Sequence, residues 1–322
     1  MREGRSRIAL RAILATVAAI AMNGPTPTSH FISAPDGLRL HAREYGRRIA
    51  SALPVVCLPG LARSGSDFET LANALAGDPA RPRRVIALDY RGRGKSDYDR
   101  DPANYSFQVE IADVLAVLTA LDCGRAIFIG TSRGGILTML MAALRPGIIA
   151  GVVLNDIGPV IEPKGLMRIK GYVGKLPQPR NYEDGADILR RLFSAQFPKQ
   201  TAEDWLASAH RTFKDVDGGL VPDYDVALAK TLEGVDFEKP LPPLWAQFDA
   251  LSAVPMMVIR GENSDLLSAA TVDAMAARRT AVGTMATRRS AIETLVVPDQ
   301  GHAPLLAEAE TITRIADFVR RV

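Results

Sequence analysis

The feature that most constrains this chain lies between residues 126 and 146, where a strand pattern turns abruptly into a helix pattern. Ile127-Phe128-Ile129 is β-branched or aromatic without polar interruption, the composition of a strand covered on both faces in a parallel sheet. From Ile136 to Leu144 the residues are helix formers, and Pro146 stops the pattern. Between the two stands Gly130-Thr131-Ser132-Arg133-Gly134, a G-x-S-x-G sequence. In a sharp strand-to-helix turn the flanking glycines let backbones pass closely, and the serine is held exposed above the sheet. The bare pentapeptide is common enough to arise by chance, so the strand before it and the helix after it carry the inference.

A buried strand at 126–129 requires neighbours. Short apolar runs recur at Val55-Val56-Cys57-Leu58, Val85-Ile86-Ala87-Leu88, Gly151-Val152-Val153-Leu154, Met256-Met257-Val258-Ile259 and Thr294-Leu295-Val296-Val297, separated by helical or loop segments. Ser106 can cap a helix that places Ile111, Val114, Leu115 and Leu118 on one face before Gly124. Strands alternating with helices predict an α/β fold with a doubly wound, mainly parallel sheet, whose ligands bind at the carboxyl ends of the strands. Ahead of these runs, residues 30–45 read as a hairpin turned at Ala34-Pro35-Asp36-Gly37. Its alternating second arm predicts an antiparallel pair at the sheet edge with one wet face.

The alternation breaks between residues 157 and 250. This stretch holds nine of the 21 prolines, both tryptophans, and amphipathic runs such as Ala186 to Phe193 and Glu203 to Phe213. Because the βα pattern resumes at Pro255, the stretch reads as a mostly helical lid inserted into one core formed by residues 22–156 and 251–322, rather than as a second domain. The first 21 residues carry four arginines and one glutamate, followed by an apolar run and Ala19-Ile20-Ala21. They read either as a secretory signal, giving a periplasmic or secreted protein, or as an extension ahead of a start at Met22, giving a cytoplasmic one. Without them the net charge falls from +3 to 0, so no basic patch is implied and nucleic acid is not an expected partner. The two cysteines, Cys57 and Cys123, sit far apart in buried-looking positions, and neither their number nor their spacing suggests a metal site or a disulfide framework.

A serine hydroxyl needs a base, so Ser132 demands a histidine at another strand end. Of the four histidines, His30 and His41 fall in the hairpin and His210 in the insertion; only His302 follows a buried strand, in Pro298-Asp299-Gln300-Gly301-His302. The histidine needs a carboxylate to hold its tautomer. Asp265, in the loop after the Met256 strand, is favoured by the chain order Ser, Asp, His. Asp156 could serve if the acid came from the preceding strand, while Glu262 and Asp299 read as loop caps. An oxyanion would be held by the N–H of Arg133, directly after the serine, and by an N–H after the Val55 strand, assigned to Leu61 in Leu58-Pro59-Gly60-Leu61.

These segments together with Asp89-Tyr90-Arg91-Gly92-Arg93-Gly94-Lys95-Ser96 resemble the α/β-hydrolase fold from residue 30 to the C-terminus. The resemblance implies a serine hydrolase of a carboxylic ester or lactone using Ser132, His302 and Asp265 without metal or organic cofactor. It also implies a small-molecule substrate of apolar or moderately polar character. Acyl transfer, carbon–carbon bond hydrolysis, or a non-catalytic binding protein of the same fold remain the alternatives. Ser132 separates the chain from the similar dehalogenases and epoxide hydrolases, which carry aspartate at that position. Pro59-Gly60 departs from the His-Gly of many esterases and ring-cleavage hydrolases. The glycine-rich Arg91 to Ser96 loop lacks phosphate-loop spacing and is structural in similar proteins. The Arg133 side chain is expected to pair with a lid carboxylate or with an anionic substrate.

Overall fold

The computed structural model describes residues 26–236, 241–282 and 291–322. The expectations for residues 1–21 and for a start at Met22 lie outside the described residues.

Eight strands form one sheet: β1 (Thr28–Ser33), β2 (Arg39–Tyr45), β3 (Val55–Leu58), β4 (Val85–Asp89), β5 (Ala126–Thr131), β6 (Ile149–Asn155), β9 (Met256–Gly261) and β10 (Glu293–Val297). Their spatial order is β1-β2-β4-β3-β5-β6-β9-β10. The hairpin β1/β2 is antiparallel and lies at one edge, β2 runs antiparallel to β4, and every pair from β4 to β10 is parallel. The parallel strands β3 to β6 are buried along nearly their whole length, whereas the edge strand β1 alternates with solvent.

Side chains of one strand divide between two apolar layers, as the two-residue period requires. Val56, Leu58, Phe128 and Leu154 pack with helices α2 (Phe107–Ala120), α3 (Arg133–Leu144) and α8 (Ala269–Val282). Val55, Cys57, Ile129 and Val153 face the other way, onto α1 (Glu69–Ala76) and α9 (Ala309–Arg321). The α2 helix begins at Ser106, whose hydroxyl accepts from the Val109 N–H, and it buries Ile111, Val114 and Leu118. Both free cysteines are buried, and burial pushes the Cys57 thiol far above its ordinary value.

Between β6 and β9 the chain forms α4 (Pro163–Tyr172), α5 (Tyr182–Phe193), α6 (Ala202–Thr212), the ribbon β7 (Phe213–Val216) with β8 (Gly219–Pro222), and the short α7 (Trp245–Asp249). The α5 and α6 helices have side-chain caps at Asn181 and Thr201, and their apolar faces close on a separate cluster of Leu189, Phe197, Trp205, Phe213 and Leu220. The antiparallel ribbon was not anticipated in a stretch read as mostly helical. Its turn is Asp217-Gly218, both at positive φ, a dipeptide that closes a two-residue hairpin in register with the strand twist.

Candidate active site

The β5 to α3 junction sets the geometry. Ser132 sits at φ 51° and ψ −113°, a left-handed conformation that a non-glycine residue adopts only when its surroundings hold it there. The close approaches explain the two glycines. A Cβ on Gly134 would stand 2.1 Å from the Leu58 carbonyl oxygen, and one on Gly130 would stand 2.6 Å from the Gly134 carbonyl. The α3 helix therefore starts directly against β3 and β5, and Ser132 is left at the strand ends, facing a pocket.

His302, in the loop after β10, reaches back to it. Its Nε2 lies 2.8 Å from Ser132 Oγ and its Nδ1 lies 2.8 Å from Asp156 Oδ2. With the proton on Nδ1 the ring donates to Asp156 and accepts from the serine hydroxyl, the arrangement that deprotonates a nucleophile. Asp156 follows β6 directly and is fully buried, at positive φ. Its Oδ1 accepts from the Gly261 N–H at 2.8 Å, and its Oδ2 also accepts from Ser264 Oγ at 2.5 Å.

The carboxylate facing His302 is therefore Asp156 and not Asp265, and the expectation for Asp265 is corrected. Asp265 points to the insertion, where Arg168 of α4 grips it through Nε and Nη2 at 2.7 and 2.9 Å. Burial pushes the Asp265 carboxyl up, but the Arg168 hydrogen bonds and charge outweigh it, so the group titrates below its ordinary range. The loop after β9 contributes its backbone and Ser264 around Asp156 instead of a carboxylate of its own. Glu262 accepts from the Asp299 N–H, and the Asp299 carboxylate pairs with Lys199 of the insertion and not with its own loop.

The N–H groups of Leu61 and Arg133 are engaged by no other group among the described residues, and Leu61 and Ser132 line the same pocket. The turn is tied down one peptide further on, where the Leu61 carbonyl accepts from Arg93 Nε at 2.8 Å. Arg93, fully buried, pairs through Nη1 with Glu110 at 2.8 Å, and Glu110 pairs with Arg133 Nε at 2.6 Å. One buried carboxylate thus ties the loop after β3 to the first residue of α3. The Arg133 partner is neither a lid carboxylate nor a position open to substrate. The guanidinium is turned into the core, onto Glu110, the Tyr105 carbonyl and the Phe107 ring.

His41 shows why hydrogen bonding alone does not identify a site. It bridges Asp89 at 2.7 Å and Ser29 at 3.0 Å, the same three residue types in the same order of contact. Ser29 lies on the edge strand with no elbow, and none of the three lines the pocket. His210 stacks on Tyr182 at 3.8 Å on the insertion side of the pocket.

That pocket holds about 530 Å³. Its floor is Gly60, Leu61, Ser132 and His302, and its walls carry Ile169, Tyr172, Phe193, Phe197 and Trp205 from the insertion. Arg63, Asp67 and Arg211 give it one polar wall, which sequence reasoning had not singled out. No group of side chains among the described residues has the composition of a metal site, and no helix among them is long and apolar enough to cross a membrane.

Residues 55–314 match the model of the alpha/beta hydrolase family. The chain belongs to that family. It is 34% identical over 299 residues to the 3-hydroxybutyrate-oligomer hydrolase of Cupriavidus necator, covering 88% of this chain and 94% of that one. It is 28% identical over 249 residues to the 2-(acetamidomethylene)succinate hydrolase of Mesorhizobium japonicum, with 76% and 83% covered. Among solved structures, an alpha/beta hydrolase from Novosphingobium aromaticivorans superposes with a TM-score of 0.80 at 39% identity, covering 93% of this chain and all of that one. The family places this chain among hydrolases.

Proposed function

We propose that this hydrolase cleaves carboxylic esters through an acyl-enzyme on Ser132. The observation that carries the reading is the relay Ser132, His302, Asp156 at the floor of an apolar pocket, built on a strained elbow. Ser132 Oγ attacks the ester carbonyl carbon as its proton passes to His302 Nε2. The backbone N–H groups of Leu61 and Arg133 receive the oxyanion, and Asp156 stabilises the imidazolium. The C–O bond to the alcohol breaks and the alcohol leaves with the proton from His302. Water then adds to the acyl carbon, giving its proton to His302, and collapse returns the proton to Ser132 and frees the acid. No step uses a metal or an organic cofactor. The insertion serves as the lid that shapes the acyl and alcohol sites.

The Cupriavidus relative directs the choice of first substrates toward short esters of 3-hydroxybutyrate. Nitrophenol release from nitrophenyl acetate, butyrate and octanoate, compared with the Ser132→Ala variant, tests the reading. Turnover that disappears in the variant supports it, and a variant as active as the parent removes Ser132 from the mechanism.

A further inference from the structure

The polar lining of the pocket contains two guanidinium groups, Arg63 and Arg211, and two carboxylates, Asp67 and Glu69. Arg63 follows the Gly60-Leu61 turn, and a Cβ placed on Gly60 would lie 3.5 Å from Arg63 Cγ and 3.9 Å from Ser132 Cβ, so the stem of Arg63 and the nucleophile both approach Gly60. Its head spends two donors on Asp67, at 2.7 and 2.5 Å, and one on Thr212 Oγ1 at 2.8 Å. Arg211 comes from α6 in the insertion. Among the described residues its side chain comes within ion-pair distance only of the same Asp67, 3.9 Å from Nε and already held by Arg63, and donates one hydrogen bond, to Ser208 Oγ at 3.3 Å. The other carboxylate lining this wall, Glu69, is exposed and outside ion-pair distance of either arginine among the described residues.

We infer that Arg211, with Arg63 behind it, is the recognition site for a carboxylate carried by the substrate, so that the preferred ester is an anion. Arg211 keeps donors that no carboxylate of this wall accepts among the described residues, and a substrate carboxylate fits the planar fork of a guanidinium. Burial, reinforced by Arg63 and partly offset by Asp67, Glu69 and Asp204, holds the Arg211 guanidinium below its ordinary value, a cost that an incoming anion relieves. The two arginines belong to the core and to the insertion respectively, so a bound carboxylate also draws the two together. The inference rests on the ester hydrolase reading and narrows it: a linear 3-hydroxybutyrate dimer, which ends in a free carboxylate, fits, whereas a neutral ester of equal size fits less well.

The test compares the 3-hydroxybutyrate dimer with its terminal amide, the same ester bond without the charge. The parent is expected to favour the acid at least tenfold in kcat/KM, mainly through KM. In Arg211→Gln the ratio is expected to fall to within about threefold of unity, each variant's activity on the amide serving as its own reference, and Arg211→Lys is expected to keep an intermediate ratio. A wild-type measurement stands beside the variants: butyrate should inhibit nitrophenyl butyrate hydrolysis at least tenfold more strongly than butyramide. Equal use of acid and amide by the parent, a ratio unchanged in Arg211→Gln, or equal inhibition overturns the inference while leaving the hydrolase intact. No turnover of nitrophenyl butyrate at all overturns the ester hydrolase reading and the inference with it.

Discussion

Replacing Asp156 with asparagine separates this site from the arrangement in which Asp265 is the acid. The carboxylate accepts three hydrogen bonds, from the Gly261 N–H, Ser264 Oγ and His302 Nδ1. In Asp156→Asn, the amide oxygen remains with the Gly261 N–H and the NH2 group faces His302. A donor against Nδ1 forces the ring proton onto Nε2, where it points at Ser132 and cannot accept the serine proton. Loss of the correct tautomer costs on the order of 10⁴ in kcat, or about 5.5 kcal/mol of barrier. Asp265→Asn removes a charge from Arg168 and not from His302, so its kcat is expected to stay within about tenfold of the parent. Steady-state kinetics on one nitrophenyl ester, with circular dichroism to establish folding, measures both. A loss of about 10³ or more in Asp265→Asn, with Asp156→Asn near the parent, would refute the reasoning.

Three further outcomes follow from the structure. Glu110→Gln leaves the buried Arg93 and Arg133 facing an uncharged partner; unpairing buried charge costs about 3–5 kcal/mol, so thermal melts should fall by several degrees, and an unchanged melting temperature would show the pair to be dispensable. Gly134→Ala asks a methyl group to occupy a point 2.1 Å from the Leu58 carbonyl oxygen, and soluble protein of parental stability would contradict that packing. The Asp265 carboxyl, held low when folded, contributes stability that is present above the unfolded carboxyl pKa of about 3.9 and is lost as pH falls through the lower folded value. Arg168→Met leaves the burial without the charge, so the acid limb of a melting profile should move to higher pH, and superposable limbs would show the pair to be idle.

Much of the fold was legible because its signals are local. Uninterrupted runs such as Val55–Leu58 suit strands covered on both faces, and the turn at residues 34–37 marks a hairpin, which lies at the sheet edge with β1 outermost and β2 paired on both sides and largely buried. Ser132 and His302 were legible for a related reason: each follows a run that reads as a strand, although β10, ahead of His302, is a half-exposed edge strand and not the buried one its apolar run suggested. The acid was not, because two adjacent strands, β6 and β9, each end near an aspartate. The choice between them is made by Arg168, about a hundred residues from Asp265 in sequence, which captures one of the two carboxylates. The Arg133 partner was hidden for the same reason, since Glu110 looks like an ordinary helix residue until α2 packs against α3. The β7/β8 ribbon did have a signal, Asp217-Gly218 between Val216 and the Leu220-Val221 pair, but its strands are only four residues long. The pairing of Arg63 with Arg211 depends on how the insertion folds back on the core.

The central claim is that Ser132 is a nucleophile activated by His302. Treatment with a fluorophosphonate, followed by intact mass and peptide mass spectrometry, measures this most directly. The account expects one adduct per chain on the peptide containing Ser132, formed at a rate that falls steeply in His302→Gln and absent in Ser132→Ala. A protein that is folded and unlabelled, or labelled elsewhere with Ser132 unmodified, would contradict it.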